Sequence, residues 1–142
     1  MIPSQTPITD VCVLYVEDEP RSRRVMNMTL KARMGLSEVH IFEDSENFLE
    51  RVKALSPQPQ VVFLDIHVPP YDGFQMLEML RQTETFADVP VIALTASVMN
   101  EEVDRLMNAG FDGCLGKPID IDTFPEHFEA IIRNVPTWQI MS

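Results

Sequence analysis

Acids, a hydroxyl and an ammonium stand directly after short apolar runs in this chain. Glu17 and Asp18, with Glu19 next, follow "VCVLYV" (11–16). Asp65 follows "VVFL" (61–64), Thr95 follows "VPVIAL" (89–94) with Ala96 and Ser97 after it, and Lys117, before Pro118, follows "GCLG" (113–116). Clustered carboxylates repel one another and call for a cation. Ligands that are all oxygen select a hard divalent ion, and Mg²⁺, or Mn²⁺ in its place, suits a few carboxylates with waters and a phosphoryl oxygen. Thr95 supplies a hydroxyl donor and Lys117 a compact positive charge, together a cage for an anion with three oxygens. Phosphoryl transfer asks for such a set around an in-line nucleophile. A carboxylate nucleophile would give an acyl phosphate, and Asp65 is the central candidate. Taken singly, each residue has an ordinary explanation. A strand-end acid often caps a helix, and Thr95 alone would be a turn hydroxyl and Lys117 a surface charge. The joint placement is what carries the chemistry.

The elements that must position these groups alternate along the chain. Continuous apolar runs at 11–16, 61–64 and 89–94 read as strands buried on both faces, "EVHIFE" (38–43) as a half-covered edge strand, and "GCLG" (113–116) as a short fifth strand. Between them, Val25, Met28 and Ala32 mark a helix opened by Pro20. Phe48, Leu49, Val52 and Leu55 mark a second helix, and Phe74, Leu77 and Leu80 a third after the Asp72-Gly73 turn. Val103, Leu106 and Met107 mark a fourth that stops at Gly110. Phe124, Phe128, Ile131 and Ile132 form the stripe of a fifth, with a capping box from Thr123 to Glu126. Strands alternating with helices imply a parallel sheet with right-handed crossovers and helices on both faces. In such sheets the working crevice lies beyond the carboxyl ends of the strands.

A length of 142 residues suits one domain, and 45% apolar residues is an ordinary globular value. Residues 1–9 read as an N-terminal extension, 10–134 as the domain and 135–142 as a C-terminal tail, whose Trp138 is expected to pack back onto the domain. Cys12 and Cys114 lie in apolar surroundings without metal-ligand spacing and read as reduced core thiols. The net charge of −11, from 22 acids against 11 bases, disfavours direct nucleic-acid binding. Arg21, Arg23 and Arg24 read as a solvated helix face. No signal peptide and no apolar run of membrane-spanning length is present in the sequence, which points to a cytoplasmic protein without membrane insertion.

"VLYVEDEP", "FLDIHVPPYDG", "VIALTAS" and "GKP" resemble, in order and spacing, the receiver domain of bacterial two-component response regulators. The likeness covers about residues 10 to 134. It implies a flavodoxin-like, CheY-like (βα)5 fold, a doubly wound parallel five-stranded sheet of order 2-1-3-4-5, and a Mg²⁺-dependent phosphoacceptor. By the same resemblance Asp65 is the phosphorylation site. Glu17 and Asp18 are metal ligands with Asp65, and His67 offers its backbone carbonyl. Thr95 and Lys117 contact the phosphoryl group, and Lys117–Pro118 is a cis peptide. Cys114 stands where the family commonly has Tyr or Phe, and a thiol cannot signal by swinging a bulky ring. Phosphorylation is expected to draw Thr95 toward the phosphate and repack the surface around Met99, Met107 and Cys114.

Such a protein is no enzyme in the usual sense, since it catalyses only its own phosphorylation and dephosphorylation. The chain reads as a stand-alone, single-domain regulator in a phosphorelay. Its expected partners are a sensor histidine kinase or histidine phosphotransfer protein, a downstream protein target, and a second copy through the fourth and fifth helices. The alternatives are a non-phosphorylated pseudo-receiver used for docking and a phosphatase of the haloacid dehalogenase type. The phosphatase would want a second acid at position 67, where His67 stands.

Overall fold

The five strands anticipated from the apolar runs all form, their ends moved by two residues or fewer. The computed structural model describes residues 2–140. In it β1 (Val13–Val16), β2 (Val39–Phe42), β3 (Val61–Asp65), β4 (Val91–Thr95) and β5 (Gly113–Gly116) pair in parallel in the order β2-β1-β3-β4-β5. β1, β3 and β4 are buried along their whole length, as strands covered on both faces must be. β2, at the edge, is only half buried.

Alternate residues of each strand feed two cores. Tyr15, Phe63 and Leu94 meet α1 (Pro20–Asn27) and α5 (Phe124–Ile132) on one face. Leu14, Val16, Leu64 and Ala93 meet α2 (Phe48–Lys53), α3 (Gly73–Arg81) and α4 (Asn100–Ala109) on the other. The α5 stripe of Phe124, Phe128, Ile131 and Ile132 is buried as its spacing indicates. Phe63, Phe124 and Phe128 form an aromatic triad, with ring centroids 5.7 to 6.2 Å apart. α4 ends at Gly110, whose φ of 107° is the left-handed C-cap conformation that glycine adopts freely.

Three expectations are corrected. α1 buries Met26, and the π-helical turn that continues it, Met28–Arg33, buries Thr29 and Leu30. Met28 is 53% exposed, and Val25 is only half buried. Thr29 survives in the core because its hydroxyl donates to the Val25 carbonyl at 2.7 Å, so the polar residue takes a place that an apolar count assigns to its neighbour. On α4, Met107 likewise faces solvent.

Thr123 makes no side-chain cap, because its backbone is already helical and turns the hydroxyl to the Asp120 carbonyl at 3.5 Å. The capping box of this fold belongs to α3. There Asp72 accepts from the Gln75 amide, and the Gln75 side chain accepts from the Asp72 amide, both at 2.9 Å.

The third correction concerns the segment expected to be a tail. Thr137–Trp138 forms β6, parallel to β5, so the sheet has six strands among the described residues. An uncovered β5 would present a row of unpaired backbone groups, and the chain's own continuation takes them up. Trp138 packs back against the α3–α4 side of the core, as expected. Pro136 and residues 139–140 flank this strand, and the rest of that stretch, 141–142, lies outside the described residues.

Candidate functional site

Register alone sends the chemistry to one rim. Val16 pairs with Leu64, Asp65 with Leu94, and Thr95 with Gly116. The residues just past those pairs are Glu17, Asp65, Thr95 and Lys117, so groups distant in sequence emerge side by side at the carboxyl ends of the strands. Glu17 is fully buried, while Asp65 and Thr95 are 5% and 4% exposed. Asp18 is exposed at the mouth.

Lys117 bridges the two buried acids, its Nζ 2.9 Å from Glu17 Oε1 and 3.1 Å from Asp65 Oδ2. The other Asp65 oxygen, Oδ1, accepts the His67 backbone N–H at 3.3 Å. Tyr15 donates its hydroxyl to Glu17 Oε1 at 3.0 Å, and the Glu19 amide reaches Glu17 Oε2 at 3.3 Å. Thr95 accepts the Ser97 amide on Oγ1 at 3.1 Å, and its carbonyl takes the Lys117 amide at 2.8 Å. Lys117–Pro118 is cis, as the resemblance implies.

These contacts shift proton affinities in ways that follow from crowding. Burial pushes the Glu17 carboxyl up to about 7, and the adjacent Asp65 adds to the rise against the pull of Lys117. Burial alone would lower the Lys117 ammonium, but Glu17 and Asp65 outweigh it and hold it above its usual range. Burial, then Glu17, raises the Tyr15 phenol, so its hydroxyl remains a proton donor.

Glu19, the third acid of the run, serves the helix rather than the site. Its carboxylate caps α1 by accepting the Arg21 and Ser22 amides at 3.0 and 2.6 Å, and those bonds hold it below the ordinary range.

One oxygen from each of Glu17, Asp18 and Asp65 lies within 4.8 Å of the others, the one such cluster among the described residues. The donor set is oxygen alone, two of its three members are buried, and no thiol or imidazole competes. That set fits a hard divalent cation which keeps several of its waters.

Several supporting residues escaped the sequence reading. Tyr15 looks like core packing until its hydroxyl is placed on Glu17. Ser45, fully buried, pins the loop after Asp65 by donating to the Tyr71 carbonyl at 2.8 Å and accepting the Tyr71 amide at 2.6 Å. Arg23 anchors the start of the acidic run, donating to the Glu17 carbonyl at 3.0 Å. Gly73 was legible as half of an Asp-Gly turn, but its role is closeness. A Cβ there would lie 3.0 Å from Ile66 Cα and 3.3 Å from the Asp65 carbonyl oxygen. Any side chain would press on the backbone that carries Asp65.

Residues 13–129 match the family model of the response regulator receiver domain, and the chain belongs to that family. Response regulator Rre1 of Synechocystis is 31% identical over 134 residues, covering 88% of this chain and 51% of that protein. The transcriptional regulator RpaA of the same organism is 26% identical over 122 residues, covering 86% of this chain and 49% of that protein. The chain thus spans about half the length of these relatives. Among solved structures, chemotaxis response regulator CheY4 of Vibrio cholerae superimposes with a TM-score of 0.77 at 24% identity, covering 87% of this chain and 99% of that one. The receiver domain of sensor histidine kinase PA1611 of Pseudomonas aeruginosa, solved with magnesium in its active-site cleft, gives 0.75 at 24%, covering 87% and 98%. The fold is that of CheY-like receivers. No described helix is long and apolar enough to cross a membrane.

Proposed function

We propose that Asp65 is the phosphoacceptor of a two-component system or phosphorelay, and that its modification switches a partner-binding surface. The observation that carries this reading is the bridge of Lys117 between Asp65 and Glu17, at 3.1 and 2.9 Å on a buried rim. A cation already poised on the nucleophile's oxygen can pass to the incoming phosphoryl group with little reorganisation.

An Asp65 oxygen attacks the phosphorus of a donor phosphohistidine. The P–N bond breaks as the P–O bond forms, and the imidazole leaves with the electron pair and takes a proton from water. The His67 amide holds Oδ1, which orients the carboxylate for in-line attack. Thr95 gives up its role as acceptor for Ser97 and donates its hydroxyl to a phosphoryl oxygen. Glu17, Asp18, Asp65 and the His67 carbonyl would hold Mg²⁺. When bound, the ion neutralises charge on the phosphoryl oxygens.

The donor is a sensor histidine kinase or a phosphotransfer protein, and the output is binding to a protein target, with a second copy among the candidates. Turnover of any separate substrate is not part of this reading, and a cytoplasmic setting suits it.

Labelling with a small phosphoramidate in Mg²⁺, followed by intact mass, tests the assignment. The parent should gain the mass of one phosphoryl group, and Asp65→Asn should gain none. An unlabelled parent beside an authentic receiver that labels would favour the docking module instead. Labelling of Asp65→Asn at the parental rate would move the acceptor elsewhere.

A further inference from the structure

The last strand ends where the site begins. Helix α5 is followed by a reversal at Asn134, in the left-handed region with φ of 62°, and the chain returns along β5. Cys114 and Trp138 are register partners, so they stand side by side on the α4 face of the sheet, where the indole joins the core. The small residues of β5 make room for this. A Cβ at Gly113 would lie 2.4 Å from the Thr137 carbonyl oxygen, a distance no side chain tolerates. Beyond the two-residue strand the segment is tied by Gln139. Its amide donates to the Cys114 carbonyl at 3.0 Å, and its side-chain Oε1 accepts the Gly116 amide at 2.8 Å.

Gly116 is also where the site reaches the sheet edge. It pairs with Thr95 and immediately precedes Lys117. A Cβ on Gly116 would stand 3.3 Å from Val98 Cγ1 and 3.4 Å from Gln139 Oε1, so the loop after Thr95 and the Gln139 latch close on one glycine from two directions. On the phosphoacceptor reading, a phosphoryl group on Asp65 would compete for the Thr95 hydroxyl, which now accepts from the Ser97 amide, and for the Lys117 ammonium, which now pairs with Glu17. Both neighbours of the latch are disturbed at once. β6, with two residues at an edge, is the weakest member of the sheet and yields first.

We infer that residues 137–139 form a displaceable strap, released from β5 when Asp65 is phosphorylated, which uncovers the β5 edge beside Cys114. The strap takes over the reporting task that Cys114 cannot perform. The inference rests on the phosphoacceptor reading above.

Trp138 is the only tryptophan, so its emission reports the strap alone. The full chain is labelled with phosphoramidate in Mg²⁺, and intact mass gives the labelled fraction independently of the strap. In the labelled protein the emission should shift to the red. Amide exchange at Thr137–Gln139 should quicken at least about fivefold, the effect of losing even one net hydrogen bond. A protein shown by mass to be labelled, yet unchanged in emission and exchange, overturns the strap and leaves the phosphoacceptor assignment standing. A protein that takes no label overturns both.

Two variants test the latch without any label. Gln139→Ala should show the red-shifted emission already in the unmodified chain, with a smaller further shift on labelling. Gly113→Ala should expel β6 through its Cβ while Asp65 still labels. Parental emission in Gln139→Ala would overturn the latch even if Gly113→Ala fails to fold.

Discussion

Beneath the rim the protein is built for stability, and at the rim it is built against it. In the interior, Phe63, Phe124 and Phe128 stack without a polar atom among them, in a core that also takes Val13, Val61, Ile92 and Leu94 from the strands. A few ångströms along the same strands, two carboxylates are buried beside each other with one ammonium between them. A designer of a stable sheet would place neither acid there. The contrast shows where selection for chemistry replaces selection for folding, and it predicts that damage to one region should spare the other.

The largest expected effect lies in the interior. Phe128→Ala removes the ring that contacts both Phe63 and Phe124 and should cost about 3–5 kcal/mol in denaturant unfolding. Phosphoramidate labelling per folded molecule should stay at the parental rate. A labelling loss out of proportion to unfolding would break the comparison.

The rim is tested by pH. Glu17 titrates near 4.5 when unfolded and is pushed up to about 7 by burial when folded. The folded state therefore holds the proton more tightly, and the contribution of Glu17 to metal-free stability is greatest below pH 4.5 and declines as pH rises through 7. Added Mg²⁺ reverses the sign, because the ion competes with that proton. Its affinity should fall about tenfold per pH unit between 7 and 4.5, one proton being displaced. Glu17→Gln should flatten the metal-free stability profile over that window. A parental profile in this variant, measured by urea midpoints, would place the titration elsewhere.

Gly73 is where the two regions touch. Gly73→Ala drives a methyl against Ile66 Cα and should cost about 1–3 kcal/mol, as overpacking does. Unlike Phe128→Ala, it should also slow labelling per folded molecule, because the atoms displaced carry Asp65. Equal labelling before and after would mean that the carboxylate's position tolerates movement of its strand.

How far the sequence foretold this division follows from element length. The long apolar strands, the α5 stripe and the strand-end residues Glu17, Asp65, Thr95 and Lys117 were legible, because period and position repeat over enough residues to stand above chance. β6 was not, since two residues carry no period and its pairing depends on an absent side chain at Gly113. The α1 face was misjudged because Thr29 is buried by a hydrogen bond to its own helix, which an apolar pattern does not register. Tyr15 was read as packing because nothing in a strand shows where a hydroxyl ends.

The smallest effect separates a cap seen in sequence from one made in structure. Thr123 to Glu126 and Asp72 to Gln75 both carry capping-box spacing, but only Asp72 has the extended backbone, ψ 177°, that lets its carboxylate turn back onto the helix amides. Asp72→Ala should therefore cost about 1 kcal/mol, and Thr123→Ala close to nothing. Asp72 lies on the rim side of Gly73, seven residues from Asp65, yet it belongs energetically to the interior: its loss should lower the urea midpoint without changing the labelling rate per folded molecule. A slower rate in Asp72→Ala would show that the start of α3 sets the approach to Asp65 as well as closing the helix, and the line between the two regions would then run through α3 rather than along the strand ends.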